Sequence, residues 1–405
     1  MNATRLAVLV GLFACGERSS LEPGSHPDHL AFFVQPGTSA VGSPITPAVQ
    51  VVMLDSSGNL LTGFSGQVTV ALYSQECGDS LSGTTTVNAV AGVAAFADLR
   101  LHRVCYDILQ ATTPALLPAF TSVPFLVHPA GITQIAFTRD SNVIDVYDHA
   151  DIYVMNLDGT GLTNLTHTIG LDAQPTWSPD GARFAFQSDR GGDADIYVMN
   201  ADGSNLRNLT NAPGDDYAPA WSPDGLRIAF VSERVYPGTV IYVMNVDGSG
   251  LTKLAADTVA YFTPTWSPDS RKIAFVDGRD AFKLHVMNAD GSGVTRVGEG
   301  IIAYSGPAWS PDGTKLLFNS PDQSGGAALY TVNVDGSGLQ KLVNANVVDP
   351  AWSPDGTAIA FAATNGDGHY HIGIANADGI GNVWVPLAGI SGSVVEDVQP
   401  QFRPH

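Results

Sequence analysis

Of 405 residues, 44% are hydrophobic and only 14% charged, with 43 glycines and 25 prolines. That is enough apolar material for packed cores, which excludes a disordered chain, and the turn formers suit many short strands. A formal net charge of −20 repels phosphate backbones and anionic headgroups, which excludes nucleic acid as a partner and electrostatic adhesion to a membrane surface.

Met1 to Arg5 carries one positive charge, and Leu6 to Ala14 is apolar apart from Gly11. This run is too short for a bilayer, which takes about 20 residues, and reads as the core of an export signal over residues 1–15. It ends Leu12-Phe13-Ala14-Cys15, which resembles the bacterial lipoprotein cleavage box. The resemblance implies lipidation of Cys15, so that the protein meets the membrane only through a lipid anchor. Ordinary cleaved secretion and an uncleaved start are the alternatives. Residues 16–27 form a polar tether.

From 28 to 128, short alternating segments such as His29–Val34, Ala48–Leu54, Gln67–Tyr73 and Val93–Leu99 are punctuated by turn residues. The spacing predicts an antiparallel sandwich. LAFFVQPGTSAVGSPITPAVQV and SGTTTVNAVAGVAAFADL resemble the immunoglobulin-like modules of bacterial surface proteins, which implies a spacer or adhesive unit. With Cys15 lipidated, Cys77 and Cys105 remain, and an oxidising compartment lets them form a disulfide; two unrelated buried thiols are the alternative. Gly78-Asp79-Ser80-Leu81 matches the nucleophile block of GDSL esterases, but it lies between strands with no following helix and reads as a turn.

From 131 to 405 the chain repeats. P-x-W-S-P-D-G/S carries Trp177, Trp221, Trp266, Trp309 and Trp352, at intervals of 44, 45, 43 and 43 residues. Each unit continues with an apolar triplet, a segment like Ile196–Asn200, a D-G turn and a short strand, which makes four strands, the content of a propeller blade. The D-G turn occurs six times, at Asp158, Asp202, Asp247, Asp290, Asp335 and Asp378. The region opens on a second-strand motif, Ile135-Ala136-Phe137, and closes on a first-strand motif, Pro400–Pro404. The two halves complete one blade, so the fold class is all-β, a six-bladed β-propeller after a β-sandwich.

The tryptophans and S-P-D-G turns read as structural. Proline presets φ, aspartate accepts from backbone amides, and glycine takes positive φ. These repeats resemble the TolB-type propeller over about two thirds of the chain. The resemblance implies a cell-envelope protein, periplasmic or at the outer membrane, that binds a protein, peptide or glycan without catalysis and without a cofactor. The chain departs from that family in its N-terminal module, which puts the family's own partner in doubt. The enzyme alternative is a propeller-fold glycan lyase or hydrolase with its site in the central channel. G-x-S-x-G is absent, which removes the nucleophile motif of the α/β-hydrolase peptidases that propellers cap. His369 and His371 alternate on one strand face, a metal pair without a clear third ligand, and Asp189, Asp193 and Asp195 are calcium candidates without a known loop spacing. Asn164-Leu165-Thr166 and Asn208-Leu209-Thr210 match the glycosylation pattern inside repeat strands.

Strand connectivity puts the S-P-D-G and D-G turns on one face and the variable loops on the other, where binding is expected. Three residues before each first-strand proline, the ring reads Asp397, Asp172, Asp216, Tyr261, Tyr304, Val347. Three adjacent carboxylates facing two tyrosines across the mouth form a candidate site for a cationic group, a metal or a stacked sugar. Local capping by each aspartate is the plainer alternative.

Overall fold

Alternation in His29–Val34 buries Leu30, and Val49–Leu54 buries Val49, Val51 and Met53. These two strands pair antiparallel, and Val93–Phe96 joins them as a third. A four-stranded sheet ordered Leu116–Thr121, Leu109–Thr113, Gln67–Leu72, Thr86–Asn88 contributes Val68, Val70, Leu109 and Ala111 to the same core. In this computed structural model the described residues are 27–73, 77–114, 116–140, 149–234, 238–254, 261–322, 326–343, 346–364, 368–381, 383–384 and 396–404. The export signal, Cys15 and most of the tether fall outside them. Cys77 and Cys105 are joined as a disulfide with Cα atoms 6.0 Å apart, a separation within the usual range.

Six four-stranded antiparallel sheets follow among the described residues. The first complete blade runs Asp172–Trp177, Arg183–Ser188, Asp195–Asn200, Arg207–Asn208 from the axis outward. The closing blade takes its inner strand, Glu396–Phe402, from the end of the chain and pairs it with Gln134–Asp140. Closure pairs the two ends of the repeat in one blade, and the outer edges that remain are short strands such as Arg207–Asn208.

Each tryptophan packs between neighbouring blades. Trp221 lies against Ala185 and Ile196 of the preceding blade, with the Arg183 guanidinium 4.9 Å from its ring centroid. The indole N–H groups of Trp177, Trp266 and Trp309 donate to inner-strand carbonyls of the preceding blade, at Gln401, Ala220 and Thr265. A buried Trp removes about 150–250 Å2 from water, about 4–6 kcal/mol as an upper bound. The turns close on themselves: in the second complete blade, Ser222 Oγ donates to Asp224 Oδ1 at 2.6 Å and accepts from the Arg227 amide at 2.9 Å. Hydrogen bonds from Ser178 and the Ala182 amide likewise hold the Asp180 carboxyl below the usual range.

The N-terminal module and the ring share a hydrophobic cluster containing Val104, Leu126, Ile135 and Phe137. In five blades the asparagine before the D-G turn donates to a Ser or Thr four residues on, as Asn200 does to Ser204. In the last blade that position is Ile380, and Asn376 instead bonds both the amide and the carbonyl of Val104, at 2.9 and 3.1 Å. Arg103 pairs with Asp378 beside it. The module therefore docks on the face of the uniform turns and leaves the variable face open.

Candidate binding site at the channel mouth

Five of the six inner strands contain a bulge. In the first complete blade the register shifts between Ala173 and Thr176, and equivalent shifts occur in the second, third, fifth and closing blades. In a regular strand, positions three and one before the proline share a face. The bulge breaks that alternation and sends them apart. In these strands the position one before the proline faces the bore, and at Asp172, Asp216, Val347 and Asp397 the position three before it turns into the blade.

The aspartate triad is consequently not where the sequence expectation put it. Asp172, Asp216 and Asp397 are completely buried, each under an arginine. Arg190 Nη2 donates to both Asp172 oxygens at 2.8 Å, Arg234 Nη2 to Asp216 at 2.6 Å, and Arg139 to both oxygens of Asp397 at 2.6 and 2.9 Å. The Arg190 and Arg234 chains are fixed by Ser188 and Ser232, and all three guanidiniums lie over aromatic rings of their own blade. Thr168, in the link from the preceding blade, donates to Asp172 at 2.6 Å. Burial still pushes the Asp216 and Asp397 carboxyls up, against the pull of the arginines. These are interior ion pairs that anchor the inter-blade links. The arginines were legible: Ser188-Asp189-Arg190 and Ser232-Glu233-Arg234 stand at the same distance after their aspartates.

Of the other expected residues, Tyr304 is 59% exposed at the mouth and Val347 is buried. Tyr261 begins an inner strand, and its side chain lies outside the described residues. His369 bonds Glu396 at 2.9 Å, and the Tyr370 amide bonds the other Glu396 oxygen at 2.7 Å. Asp189, Asp193 and Asp195 do not converge: they accept from the Leu171 amide, the Gly214 amide and the Asn208 side chain respectively. Among the described residues no group of three His, Cys, Asp or Glu side chains could hold a metal. Asn164 and Asn208 are turn-forming links to Asp151 and Asp195. In the G-D-S-L segment, Asp79 accepts from the Ser80 and His102 amides and faces Asp107, whose carboxyl is pushed up to about 7 by burial and by the Asp79 charge.

The channel opens as two funnels that share Gln174, Asp349 and Gln399. The funnel on the uniform face, about 550 Å3, is walled by the repeated prolines and tryptophans. The one on the variable face, about 630 Å3, is walled by polar and acidic groups including Thr138, Asp140, Tyr304, Asn319, Tyr370 and Glu396. Loops on this variable face also expose Ile169 (89%) and Phe282 (45%).

The TolB beta propeller domain family matches residues 133–212, 191–281 and 259–385. Among solved structures, TolB from Acinetobacter baumannii is 16% identical with a TM-score of 0.58, over 74% of this chain and 80% of that one. Kuenenia stuttgartiensis hydrazine synthase is 18% identical with a TM-score of 0.55, over 68% of this chain and 47% of that one. At these identities the likeness is one of fold, because one propeller serves unrelated functions. A repeated first-strand proline and tryptophan, a ring closed by its own two ends and a family match across most of that ring make this chain a member of the TolB β-propeller family.

Proposed function

We propose that the chain is an exported, lipid-anchored cell-envelope protein whose propeller binds a protein or peptide partner at the variable-face mouth, without catalysis. The observation that carries this reading is the pairing of an open polar funnel with exposed Ile169, Phe282 and Tyr304 around it. Solvent-exposed apolar and tyrosine side chains flanking a concavity are what a protein partner covers. The N-terminal module, held at the opposite face, acts as a spacer that points the mouth away from the anchor. Ile169→Glu with Tyr304→Ala should cut partner capture from envelope extract at least about ten-fold, the loss of one to two interface anchors. Capture that survives both changes overturns the mouth as the site. Cys15→Ser should release the protein from the membrane fraction and remove the lipid mass; unchanged association overturns the anchor.

A further inference from the structure

One residue before each inner-strand proline, the ring reads Gln399, Gln174, Ala218, Thr263, Gly306, Asp349. The five that are not glycine all have positive φ, between 40° and 57°. That conformation costs about 1–2 kcal/mol for an L-residue, and its recurrence shows that the inner-strand bulge imposes it. The amides at this level can then be reached by side chains of the preceding blade. The Gln174 amide donates to Gln399 Oε1 at 2.9 Å, the Ala218 amide to Gln174 Oε1 at 2.7 Å, and the Gln399 amide to the Asp349 carboxylate. The chain of bonds stops at Ala218, which has no acceptor to offer. Next round the ring, the buried Thr263 hydroxyl has no hydrogen-bond partner. Thr263 packs so closely on Gly306 that a Cβ there would lie 2.4 Å from its Oγ1. The neck therefore has one half filled by long side chains and one half lined by small ones.

Asp349 is the single ionisable member of this ring. Asp349 is partly buried and lines the bore where the two funnels meet. Its hydrogen-bonding partner is one backbone amide, and no salt bridge reaches it among the described residues. The three aspartates inside the blades all have arginines; this one, where the two funnels meet, has none among the described residues. A partly buried carboxylate without a counter-charge gives up part of its hydration, and a ligand cation would offset that loss.

We propose that the channel neck is a subsite for a primary ammonium group on a slender arm, entering from the variable face, with Asp349 as its counter-charge and Thr263 Oγ1 and the Gln174 side-chain oxygen as further acceptors. This rests on the variable mouth being the binding face. An ammonium is the more compact of the two common side-chain cations, which suits a slender arm reaching the level where the two funnels meet. It fits better than a metal ion, because the neck offers one carboxylate. Either a lysine-bearing peptide or an amino sugar supplies the group. Among the described residues, the other ionisable side chains along the same funnel are Asp140, Glu396, Tyr304 and Tyr370, none of them basic, so their field along the funnel favours a cation.

Calorimetric titration of the full chain tests this, with Gly-Lys-Gly and glucosamine as probes and Gly-norleucine-Gly and glucose as neutral controls. At least one ammonium probe should bind about ten-fold or more tighter than its control at pH 7.5, and the one that does identifies the source. Burial pushes the Asp349 carboxyl up to about 6, so affinity should fall about ten-fold between pH 7.5 and 5 as the carboxylate takes up a proton. Asp349→Asn, the same shape without the charge, should erase the preference. Ala218→Gln, which fills the small half with a residue the ring already uses twice, should weaken it about ten-fold. Absence of any preference in the native protein, or a preference that survives Asp349→Asn, overturns the proposal. If partner capture is lost with the Ile169 and Tyr304 changes while no probe binds, the mouth reading stands and the neck subsite falls. If capture ignores the mouth variants, the mouth reading falls by itself.

Discussion

At the scale of single residues, the buried aspartates with arginines separate from the partly buried Asp349 at the bore. Asp172 has its arginine, and removing one member strands the other. Asp172→Asn should therefore cost about 3 kcal/mol, as breaking a buried pair does, and Asp172→Leu with Arg190→Met should recover most of it; urea unfolding of the three variants measures both. Asp349 has no counter-charge among the described residues, and its carboxyl is raised from 3.8 to about 6. A raised carboxyl holds its proton more tightly in the fold, so the penalty is absent below about 4, grows as pH rises through 4 to 6, and is complete above. Asp349→Asn should stabilise the protein at pH 7.5 by up to about 3 kcal/mol, less whatever the water in the bore already offsets, and should change nothing at pH 3.5. Equal effects at both pH values would remove the case that this carboxylate is unneutralised.

At the scale of the blade, the repeat tryptophans tie each sheet to the one before it. Trp221→Ala should cost about 3–5 kcal/mol, whereas exposed Tyr73→Ala should cost well under 1. The indole N–H supplies a finer test. That of Trp266 donates to Ala220 at 3.1 Å, while that of Trp221 is buried without a partner. Trp266→Phe should therefore cost about 1 kcal/mol more than Trp221→Phe, read as the difference in unfolding midpoints. The same repeat carries the inner-strand bulge, which takes Asp172 away from the bore and puts Gln174 into it. The tryptophan spacing was legible because it recurs along the chain. The bulge was not, because no residue type marks it: Gln, Ala, Thr and Asp all occupy its positive-φ position.

At the scale of the whole molecule, the junction fixes which face is free. Asn376→Ala removes two bonds to Val104 and should loosen the N-terminal module, so that one thermal transition separates into two and proteolysis near residues 129–133 accelerates; a single unchanged transition would count against a rigid junction. Asp107, raised to about 7 beside Asp79, lies in the docked module, and Asp107→Asn should stabilise the protein at pH 8 and leave it unchanged at pH 3.5, by the sign argument used for Asp349. Composition and repeat spacing determined the all-β class, the number of blades and the closure of the ring by the two ends of the repeat, because those follow from short-range pattern and from complementary halves that the sequence displays. The acids of the candidate site were legible, but their availability was not. Asp172, Asp216 and Asp397, three residues before their prolines, are neutralised inside blades, while Asp349, one residue before its proline and not among the acids that the sequence singles out, faces the bore. That division comes from the inner-strand bulge, from arginines that fold back over the blade, and from a channel that exists only once six sheets stand around one axis.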